Sequence, residues 1–153
     1  MENDERSSSS YLKGKSLYKG IFSRVTLDDE LFQLESDVIR KVAKQGDCII
    51  VGWCGNHILQ EEETIDVFLY ASDLGFRIGR KVEFNGLDRK SAEKQIREQD
   101  RRRAVYQEYH TGHAWGSRDD YDLCMDTGKI GVETAAELIA VYYQKKTGGR
   151  ENA

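Results

Sequence analysis

The first strongly patterned segment of the chain is residues 28–45, where apolar positions recur at helical spacing on one face. These positions are Leu31, Leu34, Val38, Ile39 and Val42. Thr26 can cap the segment, and acidic residues fill its first turn, where the helix dipole favours negative charge. The pattern therefore predicts an amphipathic helix that ends near Gly46.

Short apolar runs then alternate with further helical patterns. The runs are residues 48–52, 65–71 and 121–125, and each is typical of a buried strand in a parallel sheet. The helical patterns cover residues 56–60, the segment after a cap at Ser72 or Asp73, and residues 131–145. We expect the inward positions of these helices to be Leu74, Ile78 and Val82, then Val132, Ala135, Ala136, Leu138, Ile139 and Tyr142. Strands that alternate with helices predict an α/β fold with right-handed crossovers.

A highly charged helix is predicted over residues 88–109, after a turn at Asn85-Gly86. Its apolar residues Ala92, Ile96 and Val105 form only a thin stripe, which is typical of a largely solvated arm over about residues 85–118. We expect a disordered tail at residues 1–10, one domain at residues 11–147 and a second tail at residues 148–153.

Composition limits the classes of function. The chain has 153 residues with 27 acidic and 23 basic side chains, and its net charge of -4 argues against bulk coating of nucleic acid. No apolar run approaches the roughly 18 residues of a membrane span, and the polar N-terminus does not resemble a signal peptide. The odd number of cysteines (Cys48, Cys54 and Cys124) suits reduced thiols. We therefore expect a soluble protein in the cytoplasm.

Arginines supply the most prominent candidate chemistry. Arg77 and Arg80 lie one turn apart, and the charged helix carries a second set beside Asp100: Arg97, Arg101, Arg102 and Arg103. Guanidinium groups bind phosphate oxygens in a bidentate manner and neutralise a transferring phosphoryl group. The alternative is a solvated face, because glutamates at 93, 98 and 108 are interleaved.

Other motifs are weaker. Gly14-Lys15-Ser16 ends like a phosphate-binding loop, but Ser9 stands where the first glycine is needed and no strand precedes it. His110 and His113 are too few for a zinc site, so no metal site is predicted. The segment from Gly52 to Asn56 follows a predicted strand, where ligands bind in open α/β sheets, or it is an ordinary strand-to-helix turn.

Three segments, in order, resemble the cytidylate kinase-like family. They are CIIVGWCGNHIL at residues 48–59, DRRRAVY with YHTGHAWG between residues 100 and 116, and YDLCMDTGKIG at residues 121–131. The resemblance runs from about residue 7 to residue 143 and implies a three-layer α/β fold of the P-loop nucleotide kinases. It also implies transfer of the γ-phosphate of ATP, with Mg²⁺, to a nucleoside monophosphate such as CMP. On the resemblance, the catalytic residues would be Arg77, Arg80, Arg102 and Arg103, and the substrate site would include Gly52, Trp53, Asn56 and Asp100.

The chain departs from the family pattern in two places. The family's first strand and phosphate loop have no counterpart, so we expect an incomplete sheet that lacks its central strand, in which the predicted strands correspond to the third, fourth and fifth. Residues 16–25, or another chain in a homo-oligomer, could fill the position. Trp53 stands where the family has arginine, and indole cannot form a charge-assisted fork. We therefore expect impaired phosphoryl transfer; the alternatives are a non-catalytic nucleotide- or protein-binding remnant, or a truncated reading frame without function.

Overall fold

The computed structural model describes residues 28–148, which fall into two compact units, residues 28–58 and residues 59–148. Several predicted features lie outside the described residues: the 1–10 tail, Gly14-Lys15-Ser16, the candidate filling segment 16–25, the Thr26 cap, and residues 149–153.

In the first unit, helix α1 occupies residues 28–43, which confirms the predicted helix. Its buried side contains Ser36 and Ile39, with 1% and 8% of their surfaces exposed. Ser36 is satisfied within the helix, because its hydroxyl donates a hydrogen bond of 2.7 Å to the carbonyl oxygen of Phe32. The other large apolar side chains of the predicted face are exposed: Leu31, Leu34, Val38 and Val42.

The segment at residues 48–52 corrects a prediction. It was expected to be a buried strand, but it belongs to no strand, and Ile49 and Val51 are 93% and 80% exposed. An apolar run shows that a segment could be buried in a sheet; it does not show that neighbouring strands are present to pair with it. Helix α2 (Gly55–Ile58) follows, close to the predicted position, and Ile58 is buried.

The second unit contains a parallel pair of strands, β1 (Val67–Tyr70) and β2 (Leu123–Asp126). Val67 lies opposite Leu123 and Tyr70 opposite Asp126, which confirms a parallel α/β arrangement. The expectation that residues 65–71 form a fully buried strand is wrong, since Leu69 and Tyr70 are 49% and 42% exposed. β1 has one strand neighbour among the described residues, so its side chains are covered incompletely.

The structure confirms the two predicted helices, α3 (Leu74–Asn85) and α4 (Arg89–Thr111), which pack against each other as a hairpin. Asp73 and Asp88 cap the two helices, and Gly86 ends α3 in the left-handed conformation at φ 64°. The core between the helices is formed by six apolar residues: Ile78, Ala92, Ile96, Leu74, Val82 and Leu87. Val105, which was predicted to extend the apolar stripe of α4, is 59% exposed because it lies beyond this core.

The chain ends with a 3₁₀ turn at Arg118–Asp120, a short helix α5 (Thr127–Ile130) and the helix α6 (Val132–Gly148). Ala135 of α6 is buried as predicted, whereas Val132 and Leu138 are 46% and 47% exposed. Near the C-terminus of α6, Lys146 donates a hydrogen bond of 2.7 Å to the carbonyl of Thr64, which fixes the helix to the start of the sheet. Across residues 28–148, no helix is long and apolar enough to cross a membrane.

Candidate functional site

Arg77 and Asp100 form the strongest ion pair across the α3–α4 hairpin. Both terminal nitrogens of Arg77 donate hydrogen bonds of 2.7 Å, one to each carboxylate oxygen of Asp100. The two side chains are only 29% and 28% exposed, so water screens the pair incompletely. The hydrogen bonds to Asp100 raise the pKa of Arg77 above its usual value, which keeps the guanidinium charged.

The same carboxylate also faces Arg103. One terminal nitrogen of Arg103 lies 3.9 Å from Oδ1 of Asp100, and its guanidinium carbon lies 5.9 Å from the centre of the Trp115 ring. An arginine near the face of an indole ring is attracted to it by a cation–π interaction. Arg103 therefore has an anionic and an aromatic neighbour, while 59% of its side chain remains exposed to solvent.

Trp115 is held in turn by the loop that follows α4. Its ring meets Phe68 of β1 edge-on, with 5.6 Å between ring centres and an angle of 84°. Gly116 allows this approach: its φ is +79°, and a Cβ atom on it would lie 2.8 Å from Cζ of Phe68. Nδ1 of His113 and Oδ1 of Asp120, 2.7 Å apart, connect the two ends of the loop. The loop thus fixes an aromatic side chain beside the arginines.

The remaining predicted arginines occupy different surroundings. Arg80, on α3, lies 5.9 Å and 5.1 Å from the ring centres of Phe76 and Phe84 on the same helix. Arg102 is exposed, and within residues 28–148 it forms no ion pair. We call Arg77, Asp100, Arg103 and Trp115 the arginine cluster. Arg102, two residues from Asp100 on α4, lies about 160° around the helix from it. The single carboxylate of the cluster cannot neutralise two guanidinium groups, so the cluster retains positive charge that an anionic ligand could neutralise.

The other predicted substrate residues lie in the first unit. Gly52, Trp53 and Cys54 all have positive φ, at 77°, 58° and 53°, and Asn56 follows in α2. The φ values of Trp53 and Cys54 are unusual for residues with a Cβ atom. Trp53 is 57% exposed, whereas Cys54 is buried. Burial and the nearby negative charge of Glu35 raise the pKa of the Cys54 thiol to about 11. A role for this turn in substrate binding stays a prediction.

Sequence reasoning missed a polar group at the carboxyl ends of the two strands. Oδ2 of Asp126 accepts a hydrogen bond of 2.5 Å from the Ser72 hydroxyl, and Oδ1 accepts bonds from the backbone N–H groups of Ser72 and Gly128. The bond from the Ser72 hydroxyl is the largest cause of the lowered pKa of Asp126. The rule that places ligands beyond strand ends could have identified this group, because Asp126 is the last residue of β2.

His110 and His113, which lie three residues apart in the sequence, contact different residues. The ring of His110 lies 4.5 Å and 4.8 Å from the ring centres of Tyr106 and Tyr109, while His113 contacts Asp120. In the described part of the chain, no group of three or more histidine, cysteine, aspartate or glutamate side chains could hold a metal ion.

Comparison with known proteins supports the relationship implied by the quoted segments. The sequence pattern of the cytidylate kinase-like family matches residues 2–129. Among solved structures, an uncharacterized protein from Eubacterium ventriosum ATCC 27560 is similar, with a TM-score of 0.68 and 31% sequence identity. That similarity covers 72% of this chain and 63% of the other, so the chain spans less than two thirds of that protein's length. No curated protein matches.

Proposed function

The chain belongs to the cytidylate kinase-like family, and from that premise we propose that its arginine cluster binds the phosphate of a nucleoside monophosphate during ATP-dependent phosphoryl transfer. The observation that carries the proposal is the excess of positive charge around Asp100, where two arginines, Arg77 and Arg103, accompany one carboxylate. Phosphoryl transfer depends on cations of this kind, because negative charge is spread over the oxygens of the transferring group. A CMP-like nucleotide is the substrate that the family suggests.

The contacts assign different tasks to the arginines. Arg102 and Arg103 are exposed and would donate hydrogen bonds to phosphate oxygens. Arg77 already donates two hydrogen bonds to Asp100, so it would act by fixing the carboxylate that orients Arg103. Arg80, one turn along α3, would add positive charge and is held between two phenylalanine rings.

ATP, Mg²⁺ and the three-layer P-loop fold enter the proposal through the family alone. ATP would supply the transferred phosphoryl group, and Mg²⁺ in such enzymes is held largely by substrate phosphates and one or two carboxylates. The described residues contain no three-ligand cluster that would hold a metal by itself, so no step is assigned to the ion. The monophosphate side of the reaction is the part that the arginine cluster serves.

Calorimetry with CMP tests the binding step. Arg102→Ala and Arg103→Ala should each weaken CMP binding by roughly tenfold or more, the value expected for loss of a charge-assisted hydrogen bond. Arg97→Ala is the matched control, because Arg97 lies on the same helix but is paired with Glu93 at 2.8 Å. The control should change binding less than twofold. Absence of heat with the wild-type chain at millimolar CMP, or an equal loss in all three variants, would contradict the proposal.

A second candidate is non-catalytic binding of a nucleotide or a protein. Trp53 favours it, because an indole stands where the family pattern has an arginine, and the side chain is 57% exposed. A coupled assay of ADP release with CMP, UMP and dCMP separates the two. Turnover that depends on Arg102 and Arg103 supports the kinase proposal, whereas CMP binding without turnover supports the second candidate.

A further inference from the structure

Helix α1 carries an exposed apolar stripe. The stripe consists of Leu31, Leu34, Val38 and Val42, which are 53%, 64%, 60% and 39% exposed. Successive members are three or four residues apart, so they line one side of the helix. This spacing is the seam by which two helices pack in a coiled coil.

The buried side of the same helix adjoins the stripe. At 100° per residue, Ile39 lies about 60° around the helix from Val42 and Ser36 lies about 120° from it, and their exposures are 8% and 1%. The stripe is therefore additional to the surface through which α1 is already packed. Four adjacent apolar side chains on the exposed side of a helix favour burial against another apolar surface.

Charge is distributed unevenly along α1. Acidic residues lie towards the N-terminus of α1 and basic residues towards its C-terminus: Asp28, Asp29, Glu30, Glu35 and Asp37 precede Arg40 and Lys41, and Lys44 directly follows the helix. Two parallel copies would bring like charges together. Two antiparallel copies would bring the acidic end of each beside the basic end of the other, which is the arrangement that opposite charges favour.

We propose that the α1 stripe is a self-association surface, through which two copies of this chain pair α1 with α1 in antiparallel orientation. With Leu34 opposite Val38 of the second copy, Leu31 lies near Val42 of that copy. Glu30 and Lys41 lie on the same flank of the stripe, so Glu30 of each copy then lies beside Lys41 of the other. The interface is isologous, because the same residues contribute from both sides.

Sedimentation equilibrium of the full chain, over about 1 to 300 µM, measures the association. A seam of four apolar side chains per copy is small, so we expect a reversible dimer that dissociates in the micromolar range. Leu34→Glu should weaken the dimer at least tenfold, because it places a charge in the seam. Circular dichroism should be unchanged, since Leu34 is mostly exposed in the single chain.

Charge exchange tests the antiparallel register. Glu30→Lys and Lys41→Glu should each weaken the dimer several-fold by placing like charges together, and the double variant should restore it. Glu137→Lys on α6 is the control for the change in net charge and should leave the association unaltered. A monomer at all concentrations would overturn the proposal. In that case the stripe would be covered by residues 1–27 or by a different protein. A dimer insensitive to Leu34→Glu, or one that the double variant fails to restore, would overturn it equally.

Discussion

The ion pair between Arg77 and Asp100 should stabilise the α3–α4 hairpin measurably. We consider the variants Arg77→Ala, Asp100→Ala and the double variant, which form a double-mutant cycle. The cycle isolates the energy of the pair, because losses that each side chain suffers separately cancel. Asp100→Ala also removes the weaker contact with Arg103 at 3.9 Å, and the cycle subtracts that loss.

The size of the effect follows from the geometry. Two unit charges about 4 Å apart attract by about 4 kcal/mol at an effective dielectric constant of 20, before the loss of hydration is subtracted. Both groups keep a little under a third of their exposure, and both hydrogen bonds are 2.7 Å long. Hydrogen bonds to charged groups contribute about 1.5–3 kcal/mol net, so we expect a coupling energy of about 2 kcal/mol.

Urea denaturation of the four chains gives the free energies of unfolding from which the coupling is calculated. The matched control is the Glu93–Arg97 pair, with a comparable distance of 2.8 Å but exposures of 42% and 65%. Its coupling should be about 0.3–0.5 kcal/mol, as for exposed pairs four residues apart. Equal coupling in the two cycles would refute the reasoning, because it would show that burial and bidentate geometry add nothing.

Four further predictions concern stability and thiol chemistry. Gly116→Ala should lower the free energy of unfolding, measured in urea, by about 1–3 kcal/mol, because φ is +79° and the new methyl group would meet Phe68. The control is Gly79→Ala on α3, which places its methyl group in open space and should be neutral or stabilising. Ile96→Ala should lower the free energy of unfolding by about 2–3 kcal/mol, because Ile96 is only 2% exposed. Val105→Ala should lower it by less than about 0.5 kcal/mol, because Val105 is exposed. Equal losses in the two variants would contradict the assigned core. A thiol reagent at pH 8 should label Cys54 much more slowly than the exposed Cys48 and Cys124. Burial raises the pKa of the Cys54 thiol from 9.0 to about 11, so between these two values the thiol ionises in the unfolded chain but not in the folded one. The free energy of unfolding should therefore fall from pH 9 to pH 11. A Cys54→Ala variant should lose that dependence on pH.

The helices α3 and α4 and the turn between them could be predicted because their determinants are local. The apolar positions Leu74, Ile78 and Val82 specify the inner face of α3, and Asn85-Gly86 specifies the turn. Asp88 begins α4 by accepting hydrogen bonds from the backbone N–H groups of residues 90 and 91. These interactions join residues that are only a few positions apart, so they can be predicted directly from the sequence.

Features that depend on distant partners were not predictable in the same way. The apolar run at residues 48–52 has the amino-acid composition of a strand but does not form one. Strand formation depends on pairing with a neighbouring strand, which the composition of a segment does not reveal. Trp115 lies beside Arg103 only because Phe68, 47 positions earlier, and Gly116 accommodate its ring. The aromatic loop was visible in the sequence, whereas its contact with the arginines required the fold.

Asp100 shows how the structure sharpens a residue role that resemblance alone suggested. The resemblance placed Asp100 among residues that border the substrate, yet both of its carboxylate oxygens accept hydrogen bonds from Arg77. A direct bond from substrate to Asp100 would have to compete with that bidentate pair, and an anionic phosphate would be repelled by the carboxylate. An indirect role is physically more favourable: Asp100 connects α3 to α4 and holds Arg103 near Trp115 while Arg102 stays exposed. In the proposed site the carboxylate would then orient Arg103, which a phosphate would contact, and the same ion pair would contribute both to the stability of the hairpin and to the arrangement of that site.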